Sequence, residues 1–202
     1  DDDACREASN QEIIRRYYAA LNGLAEGTAQ EEEAFKIELL MKQAHITVED
    51  RKVVDAALKR AEETNGPAAA MELPNGQIIT GKTSCLLGAS SALLLNALKN
   101  LAGLNDELHL ISPSVIEPIQ KLKTEYLGSI NPRLHTDEIL IALSICAATD
   151  DNAKLALEQI PKLSGCQAHT SVMLSSVDIK QFKRLNVQLT SEAKYENKRI
   201  YH

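Results

Sequence analysis

The spacing of apolar residues changes at Asn65-Gly66-Pro67, and that change constrains the fold more than any other feature of the chain. Before it, apolar positions recur every three or four residues, the spacing of helices with one buried face. Ile13, Tyr17, Ala20, Leu21 and Leu24 make one such face. Phe35, Ile37, Leu40, Met41 and Ala44 make a second, and Val53, Val54, Ala57 and Leu58 a third. Ser9-Asn10-Gln11-Glu12 fits a capping box at the first helix and Gly27 ends it. Glu31 to Glu33 put negative charge at the start of the second, and Thr47 caps the third. After Pro67 the pattern turns strand-like. Residues 68–73 and 77–81 read as two short strands around Pro74-Asn75-Gly76, an Asn-Gly hairpin signal.

Further along, residues 90–102, 114–127, 137–149, 152–160 and 177–185 read as helices. Thr136 caps the third of these, Asp150 or Asp151 the fourth, and Pro118 sits in the first turn of the second. Residues 107–111, 167–174 and 187–190 read as strands. The predicted order is three helices, then β-β-α-β-α-α-α-β-α-β. This is an α/β chain (α+β overall) with a helical domain over residues 1–66 and an α/β domain over residues 67–202. Strands alternating with helices predict a three-layer α/β/α arrangement, and the leading hairpin makes its sheet mixed. A hairpin followed by αβ units is also the layout of cytidine-deaminase-like topology, an analogy of element order and not of activity.

Composition narrows the function classes. Aromatic residues are only 3% of the 202, and the net charge is −6, so phosphate backbones are repelled and base-stacking platforms are scarce; a nucleic-acid partner is not expected. No apolar run reaches the roughly 20 residues that span a bilayer, and no membrane partner is expected. Cys5, Cys85, Cys146 and Cys166 form no CxxC pair; they read as free thiols of a cytoplasmic protein. The chain opens on Asp1-Asp2-Asp3 and not on Met, which reads as a piece or processed product of something longer.

No motif assigns an activity or a cofactor. Gly76-Gln77-Ile78-Ile79-Thr80-Gly81-Lys82-Thr83 satisfies the P-loop pattern, but that chemistry needs a flexible loop of amides between strand and helix. Ile-Ile-Thr prefers a strand, and the nucleotide-binding alternative is disfavoured. Lys82, Thr83 and Ser84 still lie between a strand and a helix, where an anion can be held. Zinc deamination needs ligand and Glu at one helix start and Pro-Cys-x-x-Cys at another. Cys85-Leu86-Leu87 and Ser112-Pro113-Ser114-Val115 supply neither. Cys166 and His169 are three apart on a strand and point to opposite faces, so no metal site is expected. Arg133, His135 and Asp137 precede or open a helix, a place suited to anions, although a loop and an ordinary cap explain most of that stretch.

Several stretches resemble one family. They are Glu72-Leu73-Pro74-Asn75-Gly76 with Ile78 to Ser84, Leu86-Leu87-Gly88-Ala89-Ser90-Ser91, and Ile111-Ser112-Pro113 with Ile116 to Gln120. Asn131 to Glu138, Ala153 to Lys162, Gly165-Cys166 and the terminal Lys198-Arg199-Ile200-Tyr201-His202 complete the set. Together they resemble the C-terminal part of the mostly bacterial family known as domain of unknown function 1846, over nearly the whole chain. The resemblance implies that an N-terminal α/β domain is missing here, and that a helical middle domain precedes an α/β domain of deaminase-like topology. It implies no activity and no catalytic residues. Cys85 stands where the resemblance leads one to expect Asp, and Asp150-Asp151 where it leads one to expect Asn-Pro.

These readings predict a small anionic or phosphorylated ligand bound at the carboxyl ends of the strands. The candidate residues are Lys82, Thr83, Ser84, Ser112, Arg133 and His135. The alternative is a non-catalytic scaffold or homo-oligomerisation module, with the missing N-terminal domain as a further partner.

Overall fold

A computed structural model describes residues 2–196, so the terminal Lys198–His202 stretch lies outside the described residues. Three helices come first: α1 (Asp2–Glu26), α2 (Glu31–Ala44) and α3 (Lys52–Thr64). The hairpin strands β1 (Ala68–Glu72) and β2 (Ile78–Lys82) follow. Then come α4 (Ala89–Leu101), α5 (Pro113–Lys121), α6 (Thr136–Cys146), α7 (Asp151–Leu157), β3 (Gln167–Thr170), α8 (Ser176–Arg184) and β4 (Gln188–Ser191). The sheet is mixed, in the order β2-β1-β3-β4. β1 runs antiparallel to both neighbours and β3 pairs parallel with β4.

Strand alternation sets the layers. On β1, Ala69 and Met71 face a core built with Leu93, Leu94 and Leu98 of α4, Ile139 and Leu143 of α6, and Phe182 of α8. Ala70 faces the other way, onto Val53 and Ala57 of α3. The small alanines of β1 let a helix approach on each side. The predicted α/β class and mixed sheet are therefore what the chain forms. Among the described residues no helix is long and apolar enough to cross a membrane.

Arg51 fixes the helices before residue 67 to the sheet. It is almost fully buried, and its five N–H groups all have acceptors. Nε donates to Thr190 Oγ1 at 2.9 Å, Nη2 to the carbonyls of Ala168 and Gln188 at 2.9 and 2.7 Å, and Nη1 to the side chains of Gln11 and Gln167. Burial pushes its pKa down to about 10, still far above neutrality. Thr190 also bonds His169 Nδ1 at 2.8 Å. His169 Nε2 meets Glu192 at 3.1 Å, and Glu192 accepts from Tyr18 of α1 at 3.1 Å. Burial lowers the His169 pKa, so the ring is neutral, and with Nε2 donating to Glu192 its Nδ1 is left as the acceptor facing the Thr190 hydroxyl, which also lies 3.3 Å from the Ala168 carbonyl.

Several expectations are corrected. The first helix starts at Asp2, and Ser9 is no cap: its hydroxyl donates to the Cys5 carbonyl at 2.9 Å inside the helix. Thr47 precedes a short 3₁₀ turn (Val48–Asp50), and α3 begins one turn later. The strand expected over residues 107–111 does not form. Asn105 closes a turn onto the Glu107 amide at 2.9 Å, and Lys99 Nζ takes the carbonyls of Asp106 and Leu108 at 2.6 and 3.2 Å. The turn and the lysine hold this stretch as a loop against α4, while Leu110 and Ile111 still enter the core. The helix expected over residues 114–127 is α5 followed by a π turn (Leu122–Tyr126), with Pro118 inside the helix and not in its first turn. The N-cap of α6 is His135, one residue before Thr136, because the Thr136 amide and hydroxyl are taken by a side chain from α8.

The P-loop-like segment is also settled. Ile78–Lys82 pairs with β1 along its length, so its backbone serves the sheet and the nucleotide-binding alternative at Gly76–Thr83 is withdrawn. Gly81 has a packing reason instead. A Cβ there would fall onto the Leu93 amide and lie 2.7 Å from the Ala89 carbonyl oxygen, so its absence lets α4 lie directly on β2.

Candidate functional site

β2, β3 and β4 run the same way, so their carboxyl ends share one edge of the sheet. A small cavity of about 60 Å³ opens there. Thr83 enters it after β2, Val172 and Leu174 after β3, and Glu196 beyond β4. The start of α4 and the segment before α6 complete its wall.

That segment is held by Leu134. Its amide donates to the Leu86 carbonyl at 3.0 Å, and its carbonyl accepts from Ser91 Oγ at 2.9 Å. With Leu134 fully buried in an extended stretch, Arg133 and His135 project to the same side, and both line the cavity. Arg133 Nε donates to the Ser84 carbonyl at 3.0 Å, and Nη1 pairs with Glu196 at 2.9 Å.

His135 is oriented from behind. Its Nδ1 lies 3.2 Å from Asp178 Oδ2 and 3.4 Å from Ser175 Oγ. Asp178 Oδ1 accepts from the Thr136 amide at 2.9 Å and the Thr136 hydroxyl at 2.7 Å, while Oδ2 also accepts from Ser175 Oγ at 3.1 Å. The hydrogen bond to Asp178 raises the His135 pKa, against the opposing pull of burial. Burial alone would raise Asp178; the hydrogen bonds from His135 and Thr136 outweigh it and leave the carboxylate below its ordinary range. The pair is a carboxylate–imidazole dyad. Among the described residues His135 Nε2 has no hydrogen bond, which leaves that nitrogen available to a ligand as acid or base.

Opposite the dyad stands the start of α4. Its N-cap is Gly88, which supplies no side-chain cap, so the first-turn amides are open at the positive end of the helix dipole. Gly88, Ala89 and Ser90 all line the cavity. Ser90 is only 3% exposed as a residue, and it reaches the cavity wall. Open amides, Ser90, Arg133 and His135 together present donors to one small space, in which Arg133 is paired with Glu196 and His135 with Asp178.

The six residues expected from the sequence divide. Thr83, Arg133 and His135 meet in this cavity. Lys82 and Ser84 border a different one, along β2. Ser84 Oγ accepts from the amides of Leu86 and Leu87 at 3.2 and 3.1 Å, so its role is to shape the turn that holds Arg133. Ser112 stands apart at the start of α5, sharing a hydrogen with Ser114 at 2.7 Å. Ser90, Ser175, Asp178 and Glu196 were not anticipated. Ser175-Ser176-Val177-Asp178 does carry a cap signature, but a cap signature does not say that its carboxylate reaches a second helix. Among the described residues no group of three or more His, Cys, Asp or Glu side chains is placed to hold a metal ion.

Residues 49–201 match the family model described as domain of unknown function DUF1846, C-terminal, and residues 1–45 match its N-terminal counterpart. Likeness to the C-terminal part alone was therefore too narrow. A UPF0371 protein of Corynebacterium efficiens is 53% identical over 201 residues, covering 100% of this chain and 41% of the relative. One from Corynebacterium aurimucosum is 56% identical over 203 residues, covering 98% and 40%. One from Streptococcus thermophilus is 48% identical over 201 residues, covering 100% and 41%. The chain thus spans about two fifths of the length of the curated relatives it matches. It belongs to the DUF1846 family of uncharacterised proteins, whose curated members are named UPF0371.

Proposed function

We propose that this chain binds a small anionic ligand, a phosphorylated metabolite by preference, in the cavity at the carboxyl ends of β2, β3 and β4. The observation that carries the reading is the uncapped start of α4, where Gly88, Ala89 and Ser90 line the same cavity as Arg133 and His135. Helix N-termini with free amides favour negative charge, and a guanidinium matches the oxygens of a phosphate or carboxylate. His135, held by Asp178, moves a proton to or from the bound group through Nε2. The ligand is a small molecule and not a nucleic acid, in keeping with the net charge of −6. A cytoplasmic setting is part of the reading; free Cys5 and Cys85, both exposed, fit a reducing compartment.

The test is a thermal-shift screen against inorganic phosphate and phosphorylated metabolites, with Ser90→Ala and Arg133→Gln beside the wild type. A ligand at about 100 times its Kd adds roughly 2.7 kcal/mol of stability. The reading expects that gain in the wild type and its loss in both variants. Equal gains in all three proteins would refute it.

A second reading, a scaffold or oligomerisation module, is supported by exposed apolar side chains on helix faces. Phe35, Leu39 and Leu40 lie on α2, and Ile141 and Ile145 on α6. Their partners on this reading are a second copy or the remainder of the longer protein. Sedimentation at rising concentration tests it, and a monomer throughout removes the homo-oligomer.

A further inference from the structure

A second cavity, about 440 Å³, lies along β2, an edge strand of the sheet. α4 and the chain from Leu108 to Ile116 close its other sides. No residue lines both this cavity and the one at His135. The cavity exists because residues 107–111 form a turn tied to Lys99 and do not add a strand beside α4.

Its charge is one-sided. Arg60, Lys82, Lys99 and His109 line it, and no Asp or Glu does, in a chain whose net charge is −6. Arg60 Nε is buried and has no hydrogen-bond partner; only Nη1 finds a carboxylate, that of Glu63 at 3.4 Å. Lys82 is exposed and has no carboxylate partner among the described residues. Lys99 spends two of its three protons on carbonyls. Most of the remaining surface is apolar, with Leu86, Leu95, Leu110 and Ile116 in it, and Thr80, Ser84 and Asn96 add neutral polar groups.

We propose that this cavity binds an amphipathic anion: a small free molecule with a phosphate or carboxylate head on an alkyl or aromatic body. The head pairs with the exposed parts of Arg60 and Lys82 at the rim. The body lies on the leucine and isoleucine floor. A bare inorganic ion would leave the floor wet, and a neutral apolar molecule would leave the cations unpaired, so only the combination uses the whole surface.

The test is calorimetric titration with butyl, hexyl and octyl phosphate, each below its micelle concentration. Inorganic phosphate is present in excess throughout, to fill the Ser90 cavity. The expected result is tightening by up to about fourfold per added methylene, the effect of burying a CH₂ group. Lys82→Glu and Arg60→Gln, both at partly open positions that tolerate exchange, should each weaken octyl phosphate by about tenfold or more. Affinity that is flat along the series, or unchanged in both variants, overturns the proposal. So does octyltrimethylammonium binding as well as octyl phosphate. Co-sedimentation with phosphatidylglycerol vesicles, lost in Lys82→Glu, would overturn the assignment to a free ligand in favour of a membrane surface. Binding of octyl phosphate here with no response to inorganic phosphate alone would leave this site standing and remove the one at Ser90.

Discussion

Replacing Asp178 tests how the His135 cavity is held together. The carboxylate is 6% exposed and accepts from the Thr136 amide, the Thr136 hydroxyl, Ser175 Oγ and His135 Nδ1. In Asp178→Ala the buried Thr136 amide loses its acceptor, at about 1–3 kcal/mol. The imidazole loses its counter-charge as well. Breaking one side of a buried charged pair costs about 3–5 kcal/mol, and that is the expected total. For a chain of this length the melting temperature should fall by roughly 2–4 °C per kcal/mol. Asp178→Asn keeps the shape and an oxygen for Thr136, so it should cost less. Its signature is in the pH dependence. Asp178 is depressed in the folded state, so its contribution is full above about pH 4 and fades as pH falls through its lowered value. His135 is raised, so its contribution is full below about pH 6.5 and is lost as pH rises through its elevated value. Urea unfolding from acid to alkaline pH should show the wild type losing stability on that alkaline limb. In Asp178→Asn the alkaline loss should disappear. A variant that keeps the wild-type alkaline slope, or an Asp178→Ala protein destabilised by less than about 1 kcal/mol, refutes the dyad as described.

Gly81→Ala should drive a methyl into the α4 backbone and destabilise by about 1–3 kcal/mol, read as a lowered urea midpoint at unchanged slope; a neutral substitution would mean that α4 does not rest on β2. Thiol labelling of the native protein should modify exposed Cys5 and Cys85 quickly and Cys166 slowly. Cys166 is buried, and burial raises its thiol pKa, so a Cys166 as fast as Cys85 contradicts the packing beside β3.

Much of the fold is readable from local pattern because local pattern is what forms it. The hairpin at Asn75-Gly76, the apolar stripe of α4 and the Asp150 cap, which accepts from Asn152 and Ala153, all depend on residues close in sequence. Residues 107–111 show where that reasoning ends. Leu110 and Ile111 are buried as their pattern suggests, but a lysine on α4 holds the carbonyls of Asp106 and Leu108 in a loop, and nothing within the run records it. The site divides the same way. Arg133 and His135 stand two apart in an extended stretch, so their shared face follows from spacing. Asp178 and Ser90 come from helices 43 and 45 residues away from His135, and only the packing of α4, α6 and α8 brings them to it. Lys82 and Thr83 are adjacent in sequence, yet β2 ends at Lys82 and the two residues line separate cavities.

The most direct test of the central claim is an NMR titration of the His135 ring in the presence and absence of inorganic phosphate. An anion seated among Ser90, Arg133 and the α4 amides lies close to the imidazole and stabilises its protonated form. The account predicts a His135 pKa already above the ordinary histidine range in the free protein, moving higher with phosphate and returning to its starting value in Ser90→Ala. A His135 pKa that phosphate leaves unmoved would contradict an anion site at this cavity.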